Sequence, residues 1–233
     1  MKIALLGYGK MGKEIEKIAL ERNHTIVIKD NGNLNFDITK ADIAIDFSVP
    51  TAAFQNISNS INNNIPIISG TTGWLEKYRE IAKLCQQKNG AFIYASNFSL
   101  GVNIFFELNN KLAKMMTLLN DYNVSIEEIH HTKKLDAPSG TAITLAEEII
   151  NNSSKETWEL DNTSSEKRIP IISKRIKNIA GTHIVSYQSK IDTLEIKHTA
   201  HNRKGFALGA IIAAEWLINK KGVFTMKDVL NIG

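Results

Sequence analysis

The stretch between residues 130 and 141 concentrates side chains that can hold an anion and move protons. His130 and His131 end a predicted strand, and Lys134 follows four residues after the first histidine. A Pro-Ser-Gly-Thr turn then opens a predicted helix. Backbone N–H groups at a helix N-terminus and the Thr141 hydroxyl can bind a carboxylate, while a histidine and a lysine beside them can transfer protons. A solvated loop before a capped helix is the alternative interpretation.

A second group of residues, near the start of the chain, can hold a phosphate. Gly7-Tyr8-Gly9-Lys10-Met11-Gly12 is a G-x-G-x-x-G motif between a predicted strand and a predicted helix. The first glycine permits a tight turn, the second lets the backbone approach a pyrophosphate, and the third lets helix and strand pack closely. Asp30 lies 23 residues after the first glycine, at the end of the next predicted strand, where an acidic residue binds ribose hydroxyls. A plain glycine-rich turn is the alternative.

Two further segments follow predicted strands of the same half. Gly70-Thr71-Thr72-Gly73 ends the fourth strand, and Ala95-Ser96-Asn97-Phe98-Ser99 ends the fifth. Ligands of open α/β sheets bind beyond the carboxyl ends of the strands, so both segments are predicted to lie along a dinucleotide. Read alone, the first segment is also compatible with an ordinary strand-to-helix turn. Lys29 beside Asp30 could bind a 2′-phosphate, which leaves NADH and NADPH both open.

The elements that must position these residues alternate in the first hundred residues. Short apolar runs predict strands over 2–7, 25–30, 44–48, 66–70 and 91–96, and helical spacing predicts helices over 10–22, 51–63 and 74–88. Strands that alternate with helices predict a parallel sheet covered on both faces. With right-handed crossovers this is a doubly wound, Rossmann-type α/β domain.

The pattern changes after residue 100. The sequence predicts a helix over 101–119, a strand over 123–129, a turn and helix over 137–150 and a polar loop over 151–167. The predicted buried face of the first of these helices consists of Val102, Phe105, Leu108, Leu112, Met115 and Leu119. Strands over 168–176, 182–189 and 193–201, the last two as a hairpin, predict a second, α+β domain with a mixed or antiparallel sheet.

The end of the chain is predicted to be helical again. An apolar helix is expected over 207–220, and a last turn begins at Thr225, with Asp228 completing a capping box. We expect residues 1–101 and 204–233 to form a dinucleotide-binding domain. Residues 102–203 are expected to form a substrate-binding and oligomerisation domain.

Composition narrows the possible partners and location. The 233 residues are 43% hydrophobic and 22% charged, which is typical of a globular protein with a substantial core. The net charge is +4, and the sequence has no long run of basic residues. A surface for binding nucleic acid is therefore not expected, whereas the positive charge is compatible with a small anionic substrate. The single cysteine, Cys85, excludes an intrachain disulfide and a cysteine-based zinc site. The sequence has no run of 18 apolar residues, so no membrane span is predicted. The default location is the cytoplasm.

Taken in order, these motifs resemble the dihydrodipicolinate reductase (4-hydroxy-tetrahydrodipicolinate reductase) family. The sequence HHTKKLDAPSGTA at 130–142 is similar to the family signature E-x-H-H-x-x-K-x-D-A-P-S-G-T-A. The resemblance extends to GYGKMG, DFSVP at 46–50, GTTG, ASNFSLGVN at 95–103, GTH at 181–183 and HTAHNRKGFALGA at 198–210. It implies that NADH or NADPH reduces 4-hydroxy-tetrahydrodipicolinate, via dihydrodipicolinate, to tetrahydrodipicolinate in lysine and diaminopimelate biosynthesis.

The resemblance also implies roles for individual residues. Proton transfer falls on His130, with Lys134 as the proton donor. The residues implied to bind the carboxylates of the substrate are His131, Gly140 and Thr141. The segments 70–72 and 95–98 are implied to contact the cofactor. A homotetramer is expected too, partly from the resemblance and partly because the strands between 168 and 200 carry apolar residues with few helices in sequence to cover them.

Three other functions are compatible with parts of these motifs. A metal hydrolase could draw ligands from His130, His131, His183, His198, His201 and Asp136. Adjacent histidines, and histidines three apart on a strand, point to opposite faces, so no metal ligand is predicted. A non-catalytic nucleotide sensor would keep the glycine motif but has no need of the histidine and lysine residues. Another Rossmann-type oxidoreductase, acting on a small dicarboxylate or imino acid, would keep both.

Overall fold

The computed structural model describes residues 1–32, 36–161, 166–202 and 204–232. The chain divides into two compact units. The first is formed by Met1–Leu100 with Lys204–Gly233, and the second by Gly101–Arg203. Within the described ranges, no helix has the length and apolar character needed to cross a membrane.

The helices and strands follow the order that the sequence predicts, with two additional strands. The strands are β1 (Lys2–Leu6), β2 (Thr25–Asp30), β3 (Ile43–Asp46), β4 (Ile67–Ser69), β5 (Ala91–Tyr94), β6 (Asn123–His130), β7 (Thr157–Leu160), β8 (Arg168–Arg175), β9 (Gly181–Gln188), β10 (Thr193–Ala200) and β11 (Gly222–Phe224). The helices are α1 (Lys10–Glu21), α2 (Pro50–Asn62), α3 (Tyr78–Gln87), α4 (Leu100–Met116), α5 (Gly140–Ile150), α6 (Lys204–Leu217) and α7 (Met226–Leu230).

The first unit contains a six-stranded sheet in the order β11-β5-β4-β3-β1-β2, and every neighbouring pair is parallel. Alternate residues of β1 enter two different cores. Ile3 and Leu5 pack with α1 and α6, whereas Ala4 and Leu6 pack with α2 and α3. Helices therefore cover both faces, and the predicted doubly wound α/β fold is confirmed. The strand order reverses beside β1, so the loops after β1 and β3 meet where such folds bind ligands.

The second unit contains a five-stranded mixed sheet in the order β10-β9-β6-β8-β7. Strand β9 is antiparallel to both of its neighbours, β10 and β6, whereas β6, β8 and β7 run parallel to one another. One core holds the unit together, and both α4 and α5 pack into it against the inner face of the sheet. The predicted α+β class with a mixed sheet is confirmed, as is the hairpin formed by β9 and β10.

Two strands were not predicted because each is short and pairs at a sheet edge. Thr157–Leu160 lies in a stretch predicted to be a polar loop, and only its pairing with β8 makes it a strand. Gly222–Phe224 has three residues and pairs with β5 alone. The helix predicted from residue 74 begins at Tyr78, after a 3-10 turn over Leu75–Lys77.

The buried face of α4 also differs from the predicted one. Val102 and Phe105 are buried as predicted, but Leu108 is 51% exposed and Met115 is 74% exposed. The helix instead buries Asn109, whose side-chain amide donates to the Leu145 carbonyl at 3.1 Å. A polar side chain with a hydrogen-bond partner can take a core position that an apolar pattern assigns to leucine. The predicted buried face was therefore wrong in part, because it includes residues that lie on the solvent side of the helix.

Candidate active site

The glycine motif forms a tight turn between β1 and α1, at the carboxyl end of the parallel sheet. Gly7 has a φ of +96°, and a Cβ atom there would overlap the carbonyl group of Phe47. A Cβ atom at Gly12 would lie 2.5 Å from the carbonyl oxygen of Gly7. At Gly9, in contrast, a Cβ atom would meet nothing within 4 Å. Only glycine fits the first and third positions, and the second leaves open space where a pyrophosphate can approach the N-terminus of α1.

A cavity of about 420 Å³ lies beside this turn. Three neighbouring strands contribute to it through the loops that follow β1, β3 and β4. Its lining residues are Gly9, Lys10, Met11, Phe47, Ser48, Pro50, Gly70, Thr71 and Thr72. The fold therefore brings six of the residues predicted to bind a cofactor, from two distant parts of the sequence, to one cavity.

A fully buried carboxylate, Asp46 at the end of β3, holds these loops in place. It accepts hydrogen bonds from the hydroxyls of Ser48, Ser69 and Thr71 at 2.6–2.8 Å and from the Asn56 amide at 2.9 Å. The Thr71 hydroxyl also accepts the backbone N–H of Ser48 at 2.9 Å. The side chain of Thr71 is thus used within the protein, which leaves its backbone to contact a cofactor.

The predicted segment Ala95-Ser96-Asn97-Phe98 also contains side chains that are used within the protein and a side chain that is exposed. Phe98 is 1% exposed, and its ring centroid lies 5.7 Å from that of Phe47. The Asn97 side-chain oxygen accepts the N–H of Ser99 at 2.9 Å, while Ser96 is exposed. Phe98 is therefore a core residue whose ring cannot bind a ligand without leaving the core.

In the second unit, Glu128 is the centre of a hydrogen-bonded cluster that the sequence interpretation did not single out. It is fully buried on β6, two residues before His130 and on the same face of the strand. Its carboxylate accepts the backbone N–H of Ser139 at 3.0 Å and the hydroxyl of Ser173 at 2.7 Å, and Arg175 Nη1 lies 3.5 Å away. Burial acts to raise the pKa of Glu128, but the hydrogen bonds from the two serines outweigh it and hold this pKa below its usual range.

Two histidines adjoin this carboxylate. His130 Nδ1 lies 3.5 Å and His183 Nε2 lies 3.8 Å from Glu128 Oε2, and the two ring centroids are 5.0 Å apart. Burial lowers the pKa of His130, while the carboxylate acts to raise it. Burial also lowers the pKa of His183 to about 3. Both rings are therefore neutral near pH 7, and the carboxylate acts to raise the pKa of each.

Lys134 lies in the loop after β6, where Asp136 holds its side chain. The ammonium is 2.6 Å from Asp136 Oδ2, and this contact lowers the pKa of the Asp136 carboxyl. Arg175 Nη2 donates to the Asp136 backbone carbonyl at 2.7 Å, so the same guanidinium connects this loop to Glu128. The charge of Lys134 contributes to the low pKa of His130, which places the two predicted catalytic residues in one electrostatic environment.

The predicted carboxylate site lies at the start of α5. Ser139 caps the helix by accepting the N–H of Ala142 at 3.2 Å, and its hydroxyl is 3.1 Å from His183 Nε2. Gly140 and Thr141 are the first two helical residues, and backbone N–H groups there have no partner within a helix. Gly140 is exposed, so these N–H groups are accessible to an anion.

His131 is the first residue after β6 and lies in a different environment from His130. It lines a separate cavity of about 500 Å³. The other lining residues come from the loops that follow β6, β8 and β10: Thr132, Lys133, Lys177, Asn178, Ile179, Ala180 and Asn202. The structure thus joins His130 to Glu128 and His183, and places the second predicted histidine in a different, lysine-lined environment.

Glu128, His130 and His183 also have ligand atoms within 4.8 Å of one another, a spacing that could hold a metal ion. Both carboxylate oxygens, however, already accept hydrogen bonds, and Arg175 adds a positive charge at 3.5 Å. Donors and a cation around a carboxylate form a charge-assisted hydrogen-bond cluster, whereas a divalent cation needs those oxygens as ligands. These residues therefore suit proton transfer better than metal binding.

The low pKa of His183 predicts acid sensitivity. The ordinary pKa is 6.5 and the folded value is about 3, so between these values the unfolded chain binds a proton that the folded chain does not. The free energy of unfolding should fall as the pH drops through this window, by up to about 1.4 kcal/mol per pH unit from this residue. Urea unfolding at a series of pH values should show that the free energy of unfolding depends less steeply on pH in His183→Gln than in the unmodified protein. The exposed His201→Gln is the control, and equal slopes in all three proteins would contradict the prediction.

Comparisons with known proteins agree with this arrangement. Residues 26–98 match the family model "Dihydrodipicolinate reductase, N-terminus", and residues 101–230 match "Dihydrodipicolinate reductase, C-terminus". The chain is 58% identical to the 4-hydroxy-tetrahydrodipicolinate reductase of Christiangramia forsetii over 99% of its own length and 98% of that protein. It is 35% identical to the reductase of the same name from Thermosipho africanus, over 99% of its length and 98% of that protein.

A solved structure is similar over the whole chain. Dipicolinate-bound dihydrodipicolinate reductase from Paenisporosarcina sp. TG-14 superposes with a TM-score of 0.75 at 25% sequence identity, covering 97% of both chains. The family models and relatives therefore cover both units, and the predicted resemblance is confirmed. The chain belongs to the dihydrodipicolinate reductase family, whose members are oxidoreductases that use NADH or NADPH.

Proposed function

We propose that this protein reduces 4-hydroxy-tetrahydrodipicolinate, via dihydrodipicolinate, to tetrahydrodipicolinate with NADH or NADPH, as a step of lysine and diaminopimelate biosynthesis. The observation that carries the proposal is the arrangement of side chains in the second unit of this chain, which belongs to the family. There, a buried histidine–carboxylate cluster adjoins a helix N-terminus with accessible N–H groups and a lysine loop. The first unit is the dinucleotide-binding domain, and the second is the substrate-binding and oligomerisation domain.

The residues of the first unit fit a dinucleotide. The turn that only glycine can form leaves open space at Gly9, beside the N-terminus of α1, and this N-terminus would hold the pyrophosphate. Asp30, at the end of β2, would bind ribose hydroxyls, because its backbone carbonyl accepts the N–H groups of Gly7 and Tyr8 and so fixes it beside the glycine turn. The loops at 70–72 and 95–98 would continue the site through their backbone groups. When bound, the cofactor supplies the hydride.

The residues of the second unit fit a small dicarboxylate. The N–H groups of Gly140 and Thr141 and the Thr141 hydroxyl would bind one carboxylate. His131 would bind substrate from its separate cavity, where Lys133 and Lys177 add positive charge. A substrate with two carboxylates can use two such places at once, which orients its ring.

Proton delivery completes the reduction. The Lys134 ammonium, which Asp136 holds at 2.6 Å, donates a proton to the reduced ring. His130 supports this transfer, since its ring is neutral near pH 7 and Glu128 stabilises the imidazolium that forms when it accepts a proton. The protein thus orients the substrate and supplies the proton.

The test of this proposal is turnover. Purified protein, with freshly prepared 4-hydroxy-tetrahydrodipicolinate, should consume NADH or NADPH and form tetrahydrodipicolinate. A panel of other small dicarboxylates and imino acids, with and without a chelator, separates this activity from other oxidoreductases and from metal-dependent enzymes. Cofactor binding without consumption of any substrate would indicate a nucleotide sensor instead.

A homotetramer assembled through the second unit is part of this proposal. Both helices of that unit contribute to the core on the inner face of the sheet. On the outer face, Ile172 is 37% exposed, and Ile129 and Ile184 are partly exposed. An apolar sheet face without intrachain cover is suited to a second copy of the chain.

Light scattering should therefore give about four times the 26.0 kDa chain mass at micromolar concentration. Ile172→Lys should shift the population toward smaller species, because a charge would be buried in the interface. Leu20→Lys is the matched control, since Leu20 is 55% exposed on α1 of the first unit. A monomer mass for the unmodified protein would contradict the proposal.

We also infer a cytoplasmic location. A reductase that consumes NADH or NADPH must work where metabolism regenerates the reduced cofactor. The thiol of Cys85, the single cysteine of the chain, is free and buried, which agrees with a reducing compartment.

A further inference from the structure

Three side chains form a polar cluster at the end of β2. Lys29 Nζ lies 2.6 Å from Glu16 Oε1, and the Tyr8 hydroxyl donates to Glu16 Oε2. The Lys29 ammonium also lies over the Tyr8 ring, 5.1 Å from its centroid. Both oxygens of the Glu16 carboxylate therefore have a partner, and the lysine is held from two sides.

This cluster adjoins the proposed adenosine end of the cofactor site. Tyr8 is the second residue of the glycine motif, and Lys29 directly precedes Asp30, whose carbonyl accepts the N–H groups of Gly7 and Tyr8 at 3.1 and 2.9 Å. At this position of a Rossmann-type fold, an acidic residue binds the ribose 2′-hydroxyl, and a nearby cation accommodates a 2′-phosphate. Lys29 is the cation that β2 offers for that purpose.

The charge of Lys29 is already compensated within the chain. Its pKa is raised and that of Glu16 is lowered, in both cases chiefly by the hydrogen bond that joins them, so both groups are charged near pH 7. A 2′-phosphate that approached Lys29 would also meet the Glu16 carboxylate. Binding it would require the ion pair to open, whereas a 2′-hydroxyl makes no such demand.

We propose that Glu16 is a determinant of cofactor preference, because it holds Lys29 and thereby weakens binding of the 2′-phosphate of NADPH relative to NADH. The inference rests on the proposed function, since it concerns the same cofactor site. Glu16 acts through Lys29 and is a positioning residue.

The test compares the dissociation constants of NADH and NADPH, measured by calorimetry on the full-length protein without substrate. Glu16→Gln should shift the ratio of the two constants toward NADPH by about two- to fivefold, the range expected for one exposed ion pair. Glu14→Gln is the matched control, because it removes the same charge from the same helix and Glu14 pairs with Lys17 instead. Its ratio should equal that of the unmodified protein.

A double variant separates release of the lysine from simple loss of a negative charge. In Glu16→Gln with Lys29→Met, the shift toward NADPH should disappear if the lysine mediates it. A shift that persists in the double variant, or an equal shift in Glu14→Gln, overturns the inference. If the unmodified protein binds a cofactor but does not reduce the substrate, the proposed function fails while the binding ratio still decides this inference. If it binds neither cofactor, both fail.

Discussion

Replacing Lys134 with alanine is expected to lower kcat by about 10²–10⁴-fold, the contribution typical of a general acid. Its ammonium is held at 2.6 Å by Asp136 in the loop between β6 and α5, and its charge acts on His130. Because the residues proposed to hold the cofactor all belong to the first unit, the dissociation constant for NADH should be nearly unchanged. Steady-state kinetics together with NADH titration measures both effects.

Neighbouring variants test the assignment of the donor. His130→Ala should lower kcat by a comparable or smaller factor, and His131→Ala should act mainly by raising the KM for the substrate. Lys133→Ala can alter this KM, since the residue lines the cavity of His131, but its kcat should stay within about threefold. If Lys133→Ala lowers kcat more than Lys134→Ala does, the proton donor has been assigned to the wrong lysine.

Much of the fold could be predicted because the first hundred residues combine strong apolar strands with amphipathic helices. Alternation in β1 sends Ile3 and Ala4 to opposite cores, and this is what a doubly wound sheet requires. The short strands β7 and β11 could not be predicted, because partners distant in the sequence create them. The face of α4 was misplaced for a similar reason, since Asn109 finds a hydrogen-bond partner in α5 that the helix sequence alone does not reveal.

The candidate site could be predicted only in part. Spacing and resemblance singled out His130, Lys134 and the start of α5, but not Glu128, which adjoins His130 and accepts the N–H of Ser139 before α5. A signal was present in the sequence, because the alternation of β6 places Glu128 on the same buried face as Ile126 and His130. A carboxylate at a core position implies partners, and those partners, Ser173 and Arg175, lie on β8, whose pairing with β6 the sequence does not specify.

Removing the carboxylate of Glu128 should therefore affect both stability and chemistry. Glu128→Ala leaves the N–H of Ser139, the hydroxyl of Ser173 and the guanidinium of Arg175 without their acceptor, and should lower the free energy of unfolding by about 3–5 kcal/mol. Glu128→Gln keeps the shape of the side chain, so it should destabilise less, by about 1–3 kcal/mol. Denaturant unfolding measures both variants. Glu127→Gln is the matched control, because Glu127 lies one residue earlier on the opposite face and pairs with the exposed Lys174 at 2.6 Å.

The pH dependence of kcat distinguishes a positioning role of Glu128 from a purely structural one. The carboxylate acts to raise the pKa of His130, so its loss in Glu128→Gln should move the His130-dependent limb of the profile to lower pH. We also expect kcat at neutral pH to fall by about 10²-fold, as for misplacement of reacting groups by about 1 Å. If Glu128 had a structural role alone, Glu128→Gln would lower the free energy of unfolding and leave the limb in place. The control Glu127→Gln should also leave the limb in place, and it should have only a small effect on the free energy of unfolding. A folded Glu128→Gln protein with an unshifted limb would therefore show that His130 does not depend on this carboxylate for its proton.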